Sequence, residues 1–175
     1  PSGLENLRKE GKTEDQLHFV GHVMIDNLFY ELEKLKGKPD KQANIKTNGR
    51  YGVVTLHRPS NVDAKETLAP IVDGLNAISE KLPLFFPIHP RTRSKIEAFG
   101  LEFSSRIELS EPLGYSDFLS IWKDAALVVT DSGGLQEETT ALSVPCLTVR
   151  ENTERPVTVS SGSNQLVGTD TRKIV

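Results

Sequence analysis

"VVTDSGGLQEE", residues 128–138, passes from an apolar run through a glycine pair into residues that favour a helix. The apolar run is typical of a buried strand. Asp131 or Ser132 is suited to cap the helix that follows, because a short polar side chain can accept a hydrogen bond from a free backbone N–H. The stretch therefore predicts a strand, a tight turn and a helix in direct succession.

The same alternation recurs along the chain. Amphipathic helices are predicted between short apolar runs, and these runs are "YGVVTL" (51–56), "LFFPI" (84–88), "RIEL" (106–109), "LVVT" (127–130), "PCLTV" (145–149) and "NQLV" (164–167). Strands that are apolar throughout have no side that faces water, so helices must cover both faces of the sheet. We therefore expect an α/β fold with a doubly wound, parallel sheet.

The N-terminal region is less regular. "LHFV", 17–20, predicts a short strand, and the turn-rich segment 36–50 predicts a surface connection. Between them, a helix is predicted from apolar residues that are spaced to form one buried stripe, namely Ile25, Leu28, Phe29, Leu32 and Leu35.

Composition argues against several classes of protein. Lys and Arg total 21 against 24 Asp and Glu, a formal net charge of −3, which gives no cationic footprint for nucleic acid or an anionic membrane. Cys146 is the only cysteine, so we expect a buried thiol rather than a disulfide or a cysteine metal site. No apolar run reaches the length of a transmembrane helix. We therefore expect a cytoplasmic protein with a small ligand and with no metal or cofactor.

Ligands of open parallel sheets bind beyond the carboxyl ends of the strands. Four of these ends are followed by the loops "HRPSN" (57–61), "HPRTR" (89–93), "DSGG" (131–134) and "RENTERP" (150–156). The loops gather histidines, arginines, hydroxyls and glycines along one edge of the sheet. This edge is predicted to be cationic although the chain as a whole is not.

The turn formed by Ser132, Gly133 and Gly134 suits a phosphate. Small side chains let an anion approach the backbone, and the free N–H groups and the dipole of the helix attract it. The same sequence also forms ordinary helix caps, so the residues alone leave both interpretations open. Glu138, further along the helix, either accepts hydrogen bonds from a ribose diol or is a solvated helical acid.

His57 and Arg58 follow the central strand as adjacent cationic or proton-exchanging side chains. The pair suits a diphosphate contact or an acid/base role, whereas a lone histidine at a strand end is usually satisfied by the backbone. His89 precedes a proline, which favours a helix start. Phe118 lies on an apolar helix stripe, which predicts core packing. Arg155 is either a substrate contact or a surface arginine.

Several motifs together resemble one family. In chain order they are "VVTLHRPSN", "PIHPRT", "EPLGYSDFL", "LVVTDSGGLQEE" and "RENTERPVTVSSGSNQLVGTD". They look like the non-hydrolysing UDP-N-acetylglucosamine 2-epimerases, and "ENLRKEG" and "VGHVMID" near the start are similar as well. His22 stands where members of the family usually carry asparagine. The resemblance covers nearly the whole chain.

The resemblance implies a fold of two Rossmann-like domains of the glycosyltransferase B type, with the substrate between them, in a homodimer. This chain resembles the second domain. We expect residues 1–20 to be the tail of the preceding domain or a linker, with a helix and a short strand. Residues 21–175 are expected to form a UDP-binding domain that is truncated at both ends.

The resemblance also implies roles for individual residues. His57 is expected near the diphosphate as a catalytic histidine. The other expected substrate contacts are Ser132, Gly133 and Gly134 on the diphosphate, Glu138 on the ribose, Arg155 in the substrate site, and Leu113 and Phe118 at the uracil, with Leu113 acting through its backbone.

The family reaction inverts C2 of the sugar by eliminating UDP, which gives a 2-acetamidoglucal, and then adding UDP back after protonation on the other face. Its key carboxylates belong to the first domain, so this chain alone is expected to bind UDP weakly and not to epimerise. A UDP-sugar glycosyltransferase of the same fold and a non-catalytic nucleotide-sugar-binding module remain alternatives. A nicotinamide dehydrogenase is disfavoured, because "YGVVTLHRPSN" lacks the G-x-G-x-x-G turn.

Overall fold

A computed structural model of the chain describes residues 2–37 and 49–175. The described residues form one six-stranded sheet in which all neighbouring strands are parallel, in the order β3-β2-β1-β4-β5-β6. The strands are β1 (Gly52–Thr55), β2 (Leu84–Pro87), β3 (Ile107–Ser110), β4 (Leu127–Thr130), β5 (Cys146–Thr148) and β6 (Asn164–Leu166). The doubly wound parallel sheet that the apolar runs predict is confirmed.

Helices precede, connect and follow these strands. They are α1 (Ser2–Lys9), α2 (Val23–Leu35), α3 (Pro59–Val62), α4 (Lys65–Ser79), α5 (Pro90–Phe99), α6 (Tyr115–Trp122), α7 (Gly133–Ala141), α8 (Pro156–Ser160) and α9 (Thr171–Ile174), with a 3₁₀ helix at Glu14–Gln16. The predicted helix at the glycine pair is α7, and Ser132 is its N-cap residue.

Apolar side chains cover both faces of the sheet. Successive side chains of a strand point to opposite faces, so Val53 and Val54 of β1 belong to two different buried clusters. Val54 shares its cluster with Leu75 of α4 and Ile174 of α9, whereas Val53 shares the other with Trp122 of α6. Each of these side chains is almost fully buried, which contributes roughly 1.5–3 kcal/mol for a residue of the size of valine or leucine.

Along the chain, the strands β1, β2 and β3 extend the sheet towards one edge. The next strand, β4, lies on the other side of β1, and β5 and β6 extend the sheet towards the opposite edge. The strands β1 and β4 are neighbours in the sheet, and Thr55 at the end of β1 is in register with Thr130 at the end of β4. The segments that follow pack on opposite faces, because Val62 and Leu135 belong to different buried clusters. A crevice therefore opens at this switch point, where doubly wound folds bind their ligands.

The predicted strand at 17–20 is wrong. These residues have no regular secondary structure, and Phe19 and Val20 are 70% and 73% exposed. Within the described part of the chain no strand pairs with them. A short apolar run needs neighbouring strands to stabilise it, so its residue types alone do not make it a strand.

The predicted helix in the N-terminal region is α2, but its buried stripe is narrower than expected. Leu28 is fully buried, and Ile25, Leu32 and Leu35 pack against the core. Phe29 is instead 50% exposed, because it lies about 100° around the helix from Leu28. Most of the predicted surface connection, residues 38–48 of 36–50, lies outside the described residues.

The described residues contain neither a membrane span nor a cluster of metal ligands. None of their helices is both long enough and apolar enough to cross a membrane. No group of three or more His, Cys, Asp or Glu side chains among them could hold a metal ion. Cys146 is buried as predicted, and burial raises the pKa of its thiol to about 11.

Candidate functional site

A buried carboxylate, that of Asp131, joins the loops that follow β1 and β4. Asp131 is 0% exposed, and its Oδ2 accepts hydrogen bonds from the backbone N–H groups of His57 (3.0 Å) and Arg58 (2.8 Å). Nδ1 of His57 lies 2.9 Å from its Oδ1. From the sequence, Asp131 was predicted only as a candidate helix cap. Its place as a charged residue directly after an apolar strand could have indicated a role in the site.

Two further contacts hold this loop in place. The Nε–H of Arg58 donates to the backbone carbonyl oxygen of Asp131 at 2.8 Å. Nδ2 of Asn61 donates to the carbonyl oxygen of Val149 at 2.8 Å and lies 3.3 Å from Oδ2 of Asp131. The position of His57 is therefore fixed by three strand ends, those of β1, β4 and β5.

Protonation of His57 is favoured by this arrangement. The hydrogen bond to Asp131 raises the pKa of the imidazole above its ordinary value, against partial burial and the nearby positive charge of Arg58. The side chain remains 48% exposed, so a ligand can reach it. The two residues supply adjacent positive charges at the switch point when His57 is protonated.

The N-terminus of α7 contains the glycine pair. Oγ of Ser132 accepts a hydrogen bond from the backbone N–H of Leu135 at 3.4 Å, which confirms its predicted capping position. A Cβ atom at Gly133 would lie 2.7 Å from Oε1 of Glu154, so the missing side chain gives a carboxylate room to approach. A Cβ atom at Gly134 would lie 2.8 Å from Cε of Met24, so Gly134 instead gives room to α2.

Glu154 thus lies against the start of α7, where it is paired with arginines. Its Oε2 is 2.8 Å from Nη2 of Arg150, and its Oε1 is 3.6 Å from Nη2 of Arg58. The hydrogen bond from Arg150 is the main cause that lowers the pKa of Glu154 to about 2. Gly133, Arg58 and Arg150 together surround this carboxylate, and we call this group of residues the anion cradle.

Arg150 can donate a hydrogen bond to a further acceptor. Its side chain is only 11% exposed, and its Nη1 has no hydrogen-bond partner within the described residues. A cavity of about 330 Å³ adjoins the anion cradle and is lined by Arg58, Ser60, Asn61, Thr67, Arg150, Glu151, Asn152 and Thr169. The sequence placed Arg150 and Glu154 in the strand-end loop "RENTERP" but singled out neither as a site residue.

Glu138 of α7 is not a solvated acid. It is 7% exposed, and its Oε1 accepts a hydrogen bond from the hydroxyl of Tyr115 at 2.8 Å. Burial raises the pKa of Glu138 and outweighs the hydrogen bond from Tyr115, which lowers it. A buried carboxylate that already accepts from one hydroxyl is chemically suited to accept from the hydroxyls of a ribose.

The side chain of Arg155 pairs with Glu137 of the same helix. Its Nε lies 3.1 Å from Oε2 of Glu137, and Nε2 of His22 lies 2.9 Å from Oε1 of the same carboxylate. Glu137 is largely buried, whereas the side chain of Arg155 is 40% exposed. Arg155 is therefore held near α7 and remains accessible to a ligand.

A largely apolar pocket of about 160 Å³ includes His57 in its lining, and its lining residues are Thr55, His57, Pro87, His89, Pro112, Leu113 and Phe118. Phe118 also packs against the core, as predicted. Its side chain therefore contacts the core and also lines the pocket. Nδ1 of His89 accepts from the backbone N–H of Arg91 at 3.2 Å, which confirms the predicted helix start.

The fold and the site define a Rossmann-like α/β domain with a glycine turn and two arginines at its switch point. A sequence model of one family, described as UDP-N-acetylglucosamine 2-epimerase, matches residues 2–175. The chain belongs to this family.

Curated relatives agree over the length of the chain. It is 43% identical to the UDP-N-acetylglucosamine 2-epimerase of Methanococcus maripaludis, with 99% of this chain and 50% of the relative covered. It is 40% identical to that of Methanocaldococcus jannaschii, with 97% and 49% covered. The chain therefore spans about half the length of the curated relatives it matches.

Solved structures agree as well. The Methanocaldococcus jannaschii UDP-GlcNAc 2-epimerase in complex with UDP-GlcNAc and UDP has a TM-score of 0.88 at 40% identity, covering 97% of this chain and 49% of that chain. The Neisseria meningitidis enzyme bound to UDP-GlcNAc has a TM-score of 0.85 at 31% identity, covering 97% and 48%. The fold is thus one half of a glycosyltransferase B type structure, as expected.

Proposed function

We propose that this chain is the UDP-binding half of a non-hydrolysing UDP-N-acetylglucosamine 2-epimerase. The whole enzyme would interconvert UDP-N-acetylglucosamine and UDP-N-acetylmannosamine, for the synthesis of cell-surface polysaccharide precursors. The observation that carries this proposal is the anion cradle, which binds a carboxylate at the N-terminus of α7. Membership of the family, and a relative whose structure is a complex with UDP-GlcNAc and UDP, support a UDP sugar as the ligand.

The proposed ligand extends from the apolar pocket across the N-terminus of α7. The uracil lies in the pocket beside Leu113 and Phe118, and Glu138 accepts hydrogen bonds from the ribose. The diphosphate lies on Ser132, Gly133 and Gly134, with His57 and Arg58 beside it, and Arg155 contacts the substrate. Support comes from His57, which lines the pocket and also lies next to Arg58 of the anion cradle.

The chemical task of these residues is to stabilise UDP as it leaves the sugar. Negative charge develops on the diphosphate in that step, and fixed donors aimed at it lower the barrier. The helix N-terminus, Arg58 and protonated His57 supply such donors, and each charge-assisted hydrogen bond contributes about 1.5–3 kcal/mol. His57 is the residue of this chain that we propose as catalytic.

The acid and base that act at C2 are expected in the other half of the enzyme. In this proposal residues 21–175 form the UDP-binding domain, and residues 1–20 lead into it from the preceding one. The proposal also includes a homodimer and a cytoplasmic location for the whole protein. Neither metal nor cofactor has a role in it.

Calorimetric titration of the chain with UDP and with uridine tests the proposal. UDP is expected to bind more tightly than uridine, because the phosphates reach the anion cradle. Gly133→Ala is expected to weaken UDP binding at least about tenfold, the equivalent of one charge-assisted hydrogen bond, and to leave uridine binding unchanged. The added methyl group would occupy the space where a carboxylate now lies.

Gly3→Ala is the matched control, because a Cβ atom at Gly3 would meet nothing within 4 Å. It is expected to bind UDP as the unaltered chain does. Equal UDP affinity of Gly133→Ala and Gly3→Ala would contradict the placement of the diphosphate. Equal affinity of the unaltered chain for UDP and uridine would contradict phosphate binding altogether.

A further inference from the structure

We infer that Asp131 is a positioning residue for His57, which fixes the imidazole so that only its doubly protonated form can donate from Nε2 to a diphosphate. The inference rests on the proposed function, because the diphosphate is the proposed ligand of His57. It adds to that function the condition that His57 must be protonated for tight binding of the diphosphate.

The tautomer of His57 follows from its partner. A carboxylate accepts hydrogen bonds and cannot donate them when ionised, so Nδ1, 2.9 Å from Oδ1 of Asp131, must carry the proton of the neutral ring. Nε2 of that neutral ring is then a lone-pair acceptor. A diphosphate is also an acceptor, so a second proton on Nε2 is required before His57 can bind it.

The carboxylate of Asp131 is held in place and cannot rotate to suit another orientation of the His57 ring. It is fully buried, and the backbone N–H groups of His57 and Arg58 donate to its carboxylate at 3.0 and 2.8 Å. The Nε–H of Arg58 donates to its backbone carbonyl at 2.8 Å. These contacts leave the carboxylate in one position, so the imidazole edge that bears Nε2 is presented in one direction.

Several charged groups surround His57. Asp131 of the β4–α7 turn favours the protonated ring, whereas burial and Arg58 of its own loop oppose it, and the net effect raises the pKa of His57. His89 of the β2–α5 turn lines the same pocket. Glu154 of the loop before α8 is 3.6 Å from Arg58 and partly offsets its positive charge.

The test measures the affinity of the 175-residue chain for UDP-N-acetylglucosamine by calorimetry between about pH 5.5 and 8.5. The diphosphate of this ligand is esterified at both ends, so its charge is constant over that range. We expect the affinity to fall as the pH rises through the pKa of His57. Asp131→Asn is expected to move the midpoint of this fall to lower pH and to weaken binding about fivefold at neutral pH.

Two comparison variants make the result specific. His57→Gln is expected to remove the pH dependence, because an amide donates a hydrogen bond at every pH. Asp73→Asn, on the exposed surface of α4, is expected to keep the pH profile of the unaltered chain. A second measurement, the ¹⁵N chemical shifts of His57 in the unaltered chain, is expected to show the neutral ring protonated on Nδ1.

The outcomes separate the inference from the function beneath it. A neutral ring protonated on Nε2 would overturn the inference, even if Asp131→Asn did not fold. Tight binding with no pH dependence, or an unmoved midpoint in Asp131→Asn, would also overturn it while leaving UDP binding intact. Absence of binding at every pH would contradict the proposed function, and with it this role of Asp131.

Discussion

At the scale of single residues, the carboxylate of Glu154 lies where the proposed ligand places a phosphate. It is within reach of the N-terminus of α7 at Gly133 and is paired with Arg150 at 2.8 Å. Arg58 lies 3.6 Å away on the other side. A diphosphate that binds there must displace Glu154, and the arginines then exchange one anionic partner for another.

Glu154→Gln is therefore expected to tighten UDP binding. The amide carries no negative charge, so the ligand no longer competes with an ion pair for Arg150. Glu154 is 47% exposed and solvent screens its charge, so we expect an increase in affinity of only about two- to fivefold. Calorimetry with UDP measures the change, and Glu97→Gln on the exposed surface of α5 is the control. Unchanged or weaker binding in Glu154→Gln would show that this carboxylate does not compete with the ligand.

At the scale of elements, Gln136 connects α7 to the loop that carries Arg150 and Arg155. Its side chain is fully buried, and its Oε1 accepts a hydrogen bond from Oγ1 of Thr153 at 2.7 Å. The same Thr153 oxygen accepts from the backbone N–H of Arg155 at 2.9 Å. A buried amide therefore holds this loop to the helix, in addition to the pair formed by Arg155 and Glu137.

Gln136→Met is expected to lower the free energy of unfolding by about 1–3 kcal/mol, because a side chain of similar shape leaves the partly buried hydroxyl of Thr153 without its acceptor. Urea unfolding measures this loss. Gln165→Met, at an exposed position of β6, is the matched control and is expected to change the stability by less than about 0.5 kcal/mol. Equal stabilities of the two variants would argue against the connection through Gln136.

At the scale of the whole molecule, our proposal makes this chain one side of a substrate cleft. It spans about half the length of the relatives that it matches. The residues that we assign to UDP stabilise a leaving group, but the described residues provide no acid and base pair that we can place at C2 of the sugar. Binding and chemistry are therefore divided between two parts of the proposed enzyme.

The isolated chain is accordingly expected to bind UDP-N-acetylglucosamine without converting it. Proton NMR of the sugar nucleotide after incubation would show no UDP-N-acetylmannosamine. The Methanocaldococcus jannaschii enzyme serves as the positive control. Formation of the C2 epimer by the purified chain would refute the division of labour between the two halves.

Periodicity and strand-end position predicted most of the fold and several residues of the candidate site. The short runs predicted all six strands of the described sheet, and the signal is strongest for β1, β2 and β4, because buried parallel strands are apolar throughout. Ser132 and Gly133 were predicted as candidates because a glycine turn between a strand and a helix exposes backbone N–H groups. The strand predicted at 17–20 failed, because β propensity without a neighbouring strand is not stable.

The charged partners were harder to predict. Asp131 looked like a cap, because its place after an apolar strand does not reveal which distant backbone groups, those of His57 and Arg58, donate to it. Arg150 and Glu154 required the same three-dimensional knowledge, since their importance comes from the distance to Gly133. Sequence patterns thus located the edge of the sheet that carries the site, while the pairing of its charges depends on tertiary structure.

A crystal structure of this chain with UDP tests the central claim most directly. We predict that the diphosphate lies over Gly133 within hydrogen-bonding distance of His57 Nε2, with the Glu154 carboxylate moved away and the uracil in the pocket beside Phe118. UDP bound away from the N-terminus of α7, with Glu154 still against Gly133, would contradict the claim.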